Sequence, residues 1–225
     1  MKDRTAVIIP AAGSGQRMGG IAKAFMMLAG EPLLLHTLRP FLADARVIRV
    51  VVALDSPTAA SPPTWLCALD SRITIVGGGT TRGDSVMSAL SAVDDADIVL
   101  IHDAARPLVS PPVIDRAIRA AGRGECVVAA IPVTDTIQQV DGDRRIVATP
   151  DRATLWQAQT PQAFPRAMAV EAYRQAALDG FRATDDAAII ARYGAVVRVI
   201  EGARDNIKIT VPGDVLVAEA LLASR

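Results

Sequence analysis

The 225-residue sequence predicts one doubly wound α/β domain on a mostly parallel sheet, with a β-hairpin arm projecting from it. Three observations carry this. Short, nearly continuous apolar runs alternate with helical patterns, as in strands covered by helices on both faces. Glycine-rich and charged clusters follow those runs, at the carboxyl ends of strands, where open α/β sheets bind ligands. The alternation breaks after Pro132, where Ile137–Val147 alternates weakly about the turn signal Asp141-Gly142-Asp143.

In order, Thr5–Pro10 (TAVIIP) reads as a first strand and Leu33–Leu42 as a helix. Val47–Leu54 (VIRVVVAL) and Ile73–Val76 read as the next strands. A helix over Asp84–Val93 precedes a fourth strand at Asp97–Ile101. The helix at Pro111–Ala121 carries prolines at its start, where a missing N–H costs least. Cys126–Ile131 is a fifth strand. After the hairpin come helices near Ala167–Asp179 and Asp185–Tyr193, a strand at Val196–Ile200 and a terminal helix from Pro212.

Three polar clusters follow strands. The first is Ala11-Ala12-Gly13-Ser14-Gly15-Gln16-Arg17-Met18-Gly19, with Lys23 beyond it. Glycines let a backbone approach a ligand, and successive N–H groups cradle phosphates. No Gly-Lys-Ser/Thr follows, so this is not a Walker loop. Its Gly13-x-Gly15-x-x-x-Gly19 spacing is one residue too long for the dinucleotide fingerprint. Arg17 inside the loop suits a triphosphate better. The second cluster, Gly77–Ser85, reads as a close wall for a flat base or as a plain turn; Ser85 suits base recognition or a bond to its own helix backbone. The third is His102-Asp103-Ala104-Ala105-Arg106-Pro107, where Asp103 suits a cation, a substrate hydroxyl or a turn cap. Thr184-Asp185-Asp186 has the form of a helix start, and Lys208 stands in an otherwise apolar segment.

Composition narrows the class. Lys+Arg and Asp+Glu are both 24, so there is no excess positive charge for general nucleic-acid binding. Half the residues are hydrophobic, enough for a sizeable core, yet no apolar run is long enough to span a bilayer. Cys67 and Cys126 form no metal-spaced pair and no disulfide framework. With no secretory leader pattern at the N-terminus, the expected location is the cytoplasm.

Taken together, the segments AAGSGQRMG (Ala11–Gly19), GGGTTRGDSV (Gly77–Val86), HDAARP (His102–Pro107), PVTDT (Pro132–Thr136), QTPQAF (Gln159–Phe164), TDDA (Thr184–Ala187) and DNIKIT (Asp205–Thr210) resemble the 2-C-methyl-D-erythritol 4-phosphate cytidylyltransferase family. The resemblance runs from Val7 to about Glu219. It implies a Rossmann-like nucleotidyltransferase fold and transfer of CMP from CTP to the polyol phosphate, with pyrophosphate leaving. It further implies Arg17, Lys23, Arg152 and Lys208 as catalytic residues. Ala11, Ala12, Gly13, Gly79, Ser85, Asp103 and Ala104 would bind the nucleotide, and Arg106, Thr136, Thr160 and Thr184 the polyol phosphate, with Asp103 and Arg152 also facing that pocket. Mg²⁺ would accompany CTP with few fixed protein ligands. A homodimer is implied, with interlocking arms spanning Thr134–Asp151 and Arg152 entering the neighbour's site. One departure stands out: the family commonly has Pro-Lys-Gln about its catalytic lysine, where this chain has Ala22-Lys23-Ala24, a less constrained loop. The rival readings are a ribitol 5-phosphate cytidylyltransferase, a sugar-phosphate nucleotidyltransferase using another nucleotide, and a non-catalytic nucleotide-binding regulator.

Overall fold

A computed structural model describes residues 3–13 and 23–225. Its centre is a seven-stranded sheet. In chain order the strands are β1 (Thr5–Pro10), β4 (Val47–Leu54), β5 (Ile73–Gly77), β6 (Ile98–Ile101), β7 (Cys126–Pro132), β10 (Trp156–Pro165) and β11 (Val197–Glu201). They lie in the order β11-β7-β10-β6-β1-β4-β5. β10 runs antiparallel to both neighbours, and every other pairing is parallel. β2 (Met27–Leu28) and β3 (Glu31–Pro32) form a small ribbon, and β8 (Gln139–Val140) and β9 (Ile146–Ala148) form the arm.

Both faces of the sheet are covered, which explains why its strands read as unbroken apolar runs. Val7 and Ile9 of β1 pack with α1 (Leu33–Leu42) and α5 (Pro111–Gly122). Their neighbours Ala6 and Ile8 point the other way, into a core built with α4 (Arg82–Leu90), α6 (Arg166–Leu178) and α7 (Asp186–Arg192). A smaller cluster of Leu28, Leu33, Leu108 and Ile209 seats the terminal helix α8 (Pro212–Ala223). Two short helices, α2 (Ser56–Ala60) and α3 (Thr64–Leu69), link β4 to β5. No helix among the described residues is long and apolar enough to cross a membrane.

Local chemistry sets the boundaries near the cleft. α4 starts at Arg82, two residues before the sequence expectation, because Thr81 and Asp84 form a reciprocal capping box. The Thr81 hydroxyl accepts from the Asp84 amide at 3.1 Å, and the Asp84 carboxylate accepts from the Thr81 amide at 2.9 Å. Asp185 caps α7 by accepting from the Ala188 amide at 3.0 Å, the helix-start role its sequence suggests. The arm turns at Asp141, whose carboxylate accepts from the amides of Asp143 and Arg145. Its apolar side chains Val140, Ile146 and Val147 are all exposed.

Candidate active site

The chain runs from β1 outward to β4 and β5, then returns to β6 on the other side of β1. That reversal is the switch point at which doubly wound sheets open a crevice at their carboxyl edge. A cleft of about 450 Å³ lies there. It gathers Ala11, Ala12, Gly13, Lys23, Gly79, Ser85, Asp103, Ala104 and Lys208, all of which the sequence singles out. Arg17 lies outside the described residues. Arg106 and Thr160 do not line the cleft; both are buried behind Asp103. Thr184 is exposed beside the start of α7, and Thr136 and Arg152 are exposed at the base of the arm, where Arg152 donates to the Thr134 carbonyl at 3.0 Å.

The second loop forms one wall. Gly78 approaches so closely that an added Cβ would lie 2.5 Å from the Ala12 Cβ and 2.8 Å from the Ser85 hydroxyl. Ser85 donates to the Thr81 carbonyl at 3.0 Å and accepts from the Gly79 amide at 3.2 Å. Its local helix bond and its place lining the cleft coexist.

Asp103 is the electrostatic hub. Its carboxylate takes Lys208 Nζ at 2.8 Å and Arg82 Nε at 3.0 Å, with Arg106 Nε at 3.8 Å. Burial alone would raise its pKa. The charges of Arg82, Lys208 and Arg106 outweigh burial and hold the carboxyl well below the usual carboxylate range. Arg82 then reaches the fully buried Asp186 with both terminal nitrogens, each at 2.8 Å, and Tyr173 donates its hydroxyl to the same carboxylate. Burial first, and Asp186 second, push the Tyr173 phenol upward. Sequence reasoning assigns Arg82 and Tyr173 no role and reads Asp186 only as part of a helix start. A signal for Arg82 exists: a cation in a first helical turn opposes the helix dipole and needs an acidic partner.

Behind Asp103 the polar groups interlock. The His102 imidazole donates from Nε2 to the Arg106 carbonyl at 3.0 Å, which leaves Nδ1 to accept from the Thr160 hydroxyl at 3.0 Å. That hydroxyl in turn accepts from the Asp103 amide at 3.1 Å. The Thr160 hydroxyl is therefore engaged on both sides. Desolvation pushes His102 down to about 4, so it is neutral and keeps this tautomer. Arg106 donates to the carbonyls of Asn206 at 2.7 Å and Ala158 at 3.4 Å. Arg106 Nε and Asn206 Oδ1 are buried without a hydrogen-bond partner among the described residues.

No group of three His, Cys, Asp or Glu side chains suited to a metal ion occurs among the described residues. Asp103, the one acidic residue lining the cleft among them, is already held by Lys208 and Arg82. The described residues do not form a resident metal site.

The family model for 2-C-methyl-D-erythritol 4-phosphate cytidylyltransferase matches residues 5–224. A protein of that name from Symbiobacterium thermophilum is 47% identical over 96% of this chain and 92% of its own length. Another, from Syntrophus aciditrophicus, is 40% identical over 99% of this chain and 97% of its own. Among solved structures, the 4-diphosphocytidyl-2C-methyl-D-erythritol synthase of Anaerococcus prevotii superposes with a TM-score of 0.87 at 30% identity, covering 99% of this chain and 97% of the other. The Thermus thermophilus 2-C-methyl-D-erythritol 4-phosphate cytidylyltransferase superposes with a TM-score of 0.83 at 36% identity, covering 97% and 98%. With the match spanning nearly the whole chain in both sequence and fold, the chain belongs to the 2-C-methyl-D-erythritol 4-phosphate cytidylyltransferase family, a family of nucleotidyltransferase enzymes.

Proposed function

We propose that this chain transfers CMP from CTP to 2-C-methyl-D-erythritol 4-phosphate, acting as a cytoplasmic homodimer. The observation that carries this reading is the cleft at the sheet's switch point, whose lining joins Lys23 and Lys208 with Gly13 and Gly79. A phosphate oxygen of the polyol phosphate attacks the α-phosphorus of CTP in line. The new P–O bond forms as the bond to the bridging oxygen of the β-phosphate breaks, and pyrophosphate leaves with that electron pair. Such a step needs no protein nucleophile; it needs placement and positive charge about the reacting phosphates.

Position supports the following roles. Gly79 and Ser85, bonded to each other, form a wall for the base beside the Ala11–Gly13 segment. Lys23 and Lys208, with Arg17 from the first loop, neutralise charge on the α-phosphate and the leaving pyrophosphate. A divalent ion enters with the triphosphate, as part of the substrate. Asp103, held by Lys208 and Arg82, orients the polyol and Lys208. Thr184, two residues before the Asp186 that binds Arg82, would complete the polyol pocket. Arg106 and Thr160 support the polyol pocket from behind, where they hold the backbone of 103–106 in place. Thr136 and Arg152, exposed on the arm, complete the partner's polyol pocket.

Pyrophosphate release tests the reading. CTP with 2-C-methyl-D-erythritol 4-phosphate and Mg²⁺ should give rapid release. Ribitol 5-phosphate in place of the methylerythritol ester should give little. UTP should fall at least about tenfold below CTP in kcat/KM, because a mismatched base edge leaves buried polar groups unpaired at about 1–3 kcal/mol. Equal use of the two nucleotides overturns the cytosine assignment, and preference for ribitol 5-phosphate overturns the polyol assignment.

A further inference from the structure

We propose that the bulge of β10 at Gln159–Thr160 is a positioning device that sets Lys208 against Asp103, with the Gln159 side chain as its splint. The inference rests on the assignment of Lys208 to the reacting phosphates made above, and it concerns residues that do not line the cleft.

The ladder between β10 and β7 is regular until Ala158, which pairs with Ala130; it resumes with Gln162 opposite Val128. Three residues, Gln159 to Pro161, therefore leave the ladder where one would suffice. A bulge of this kind re-aims side chains at the edge of a site. Here it aims Gln159 at the strap of residues 202–209 that carries Lys208. The Gln159 amide meets the Ala203 backbone as a neighbouring strand would. Nε2 donates to the Ala203 carbonyl at 2.9 Å, and Oε1 accepts from the Ala203 amide at 3.2 Å. Oε1 also accepts from Asn206 Nδ2 at 3.3 Å, and that same nitrogen donates to the Thr160 carbonyl at 2.8 Å.

The fit is close. Gly202 donates its amide to the Ala130 carbonyl at 2.7 Å, and a Cβ at position 202 would run into Gln159 Oε1. The same Cβ would lie 3.1 Å from the Ala130 carbonyl oxygen, so glycine lets the strap sit close to β7 and the splint together. From that anchor the chain continues through the fully buried Asn206 to Lys208, and the Ile209 amide bonds the Ala105 carbonyl at 2.8 Å. The other half of the ion pair is held by the adjacent bulge residue: the Thr160 hydroxyl accepts from the Asp103 amide. Two consecutive residues thus fix both partners of a 2.8 Å contact whose chain positions are 105 residues apart.

Lys208 is 43% exposed in its side chain and has a long, flexible stem, so its own packing does not fix the ammonium. Misplacing a group about 1 Å from its productive geometry costs on the order of a hundredfold in rate. The splint should therefore act on the chemical step more than on nucleotide capture, which the proposed reading gives to Gly79 and Ser85.

Gln159→Leu, which keeps the volume and removes the amide, tests this. The variant should lose on the order of tenfold or more in kcat while KM for CTP stays within about twofold. In a Lys208→Ala background the same substitution should have almost no further effect on kcat, because the group it positions is gone. Amide hydrogen exchange in the free protein reads the strap directly: the Ile209 amide should exchange faster in Gln159→Leu, with core strands unchanged. An undiminished kcat overturns the proposal, as does an equal loss with and without Lys208. An unaltered Ile209 amide overturns it as well. If the wild-type protein releases no pyrophosphate from CTP, the functional reading fails, and exchange at Ile209 alone decides whether Gln159 splints the strap.

Discussion

At the scale of single residues, the cleft separates groups that carry charge to a ligand from groups that hold those charges in place. Lys23 belongs to the first kind. It lines the cleft, and in the proposed reaction it would stabilise phosphate charge most as that charge moves. Lys23→Ala should lower kcat by roughly a hundredfold or more, as loss of one preorganised donor does elsewhere; steady-state pyrophosphate release checks it, and near-wild-type kcat removes Lys23 from the mechanism. His102 belongs to the second kind, and pH exposes it. Its folded pKa of about 4 lies below the unfolded value near 6.5. Between those values the unfolded chain binds a proton that the folded chain refuses. The associated stability is complete above about pH 6.5 and is lost as pH falls towards 4, by roughly 3 kcal/mol in all. His102→Gln keeps a nitrogen donor without titrating, so its urea midpoint should fall less steeply between pH 7 and pH 4.5 than that of the wild type. Equal slopes would show that His102 is not a buried neutral imidazole. Thr160 shows what sequence cannot display. The motif marks it for the polyol pocket, yet its hydroxyl is engaged by His102 and the Asp103 amide, and nothing local in QTPQAF announces partners 57 and 58 residues away.

At the scale of elements, a feature was legible in proportion to how far its cause was local. α1 and β4 have the bounds that their apolar periodicity predicts, because each is specified by a single continuous pattern. β10 was not legible as a strand. Its sequence WQAQTPQAFP is polar at its centre and carries Pro161, which normally argues against a central strand. The bulge resolves the conflict, since Pro161 sits where the ladder to β7 is interrupted. The Arg82–Asp186 pair escaped for a similar reason: its two halves stand 104 residues apart and meet only when α4 and α7 pack on one sheet face. The turn between β5 and α4 was visible as Gly77-Gly78-Gly79, but the tight packing of two of them was not: a Cβ at Gly79 would lie 2.3 Å from the Asp84 Cβ. Gly78 is the one pressed between Ala12 and Ser85, with its amide bonded to the Leu54 carbonyl at 2.6 Å. Gly78→Ala should force that wall away from the first loop at about 1–3 kcal/mol, the usual range for overpacking. Thermal unfolding should register this as a drop of about 2–4 °C per kcal/mol, and KM for CTP should rise. An unchanged melting temperature would mean that the wall yields without strain.

At the scale of the whole molecule, the arm is the part that a single chain leaves unexplained. Residues 134–151 contribute a two-stranded ribbon whose apolar side chains Ile137, Val140, Ile146 and Val147 all face solvent, and a lone ribbon of this size is marginal in water. Thr136 and Arg152 flank it and stay out of this chain's own cleft. A two-fold dimer accounts for both facts if each arm packs on the neighbour and delivers Arg152 to the neighbour's cleft. Each site would then take Lys23 from one chain and Arg152 from the other. Lys23→Ala and Arg152→Ala dimers should each be nearly inactive on their own. When the two are unfolded together in equal amounts and refolded, half of the dimers should be mixed under random pairing. Each mixed dimer would hold one doubly damaged site and one intact site, so about a quarter of wild-type activity should return. The experiment separates sharing from simple necessity, because two residues that serve the same chain's site can never be restored by mixing. Failure of activity to return in mixed dimers confirmed by mass spectrometry would confine Lys23 and Arg152 to one chain and leave the arm's exposed apolar face to another contact.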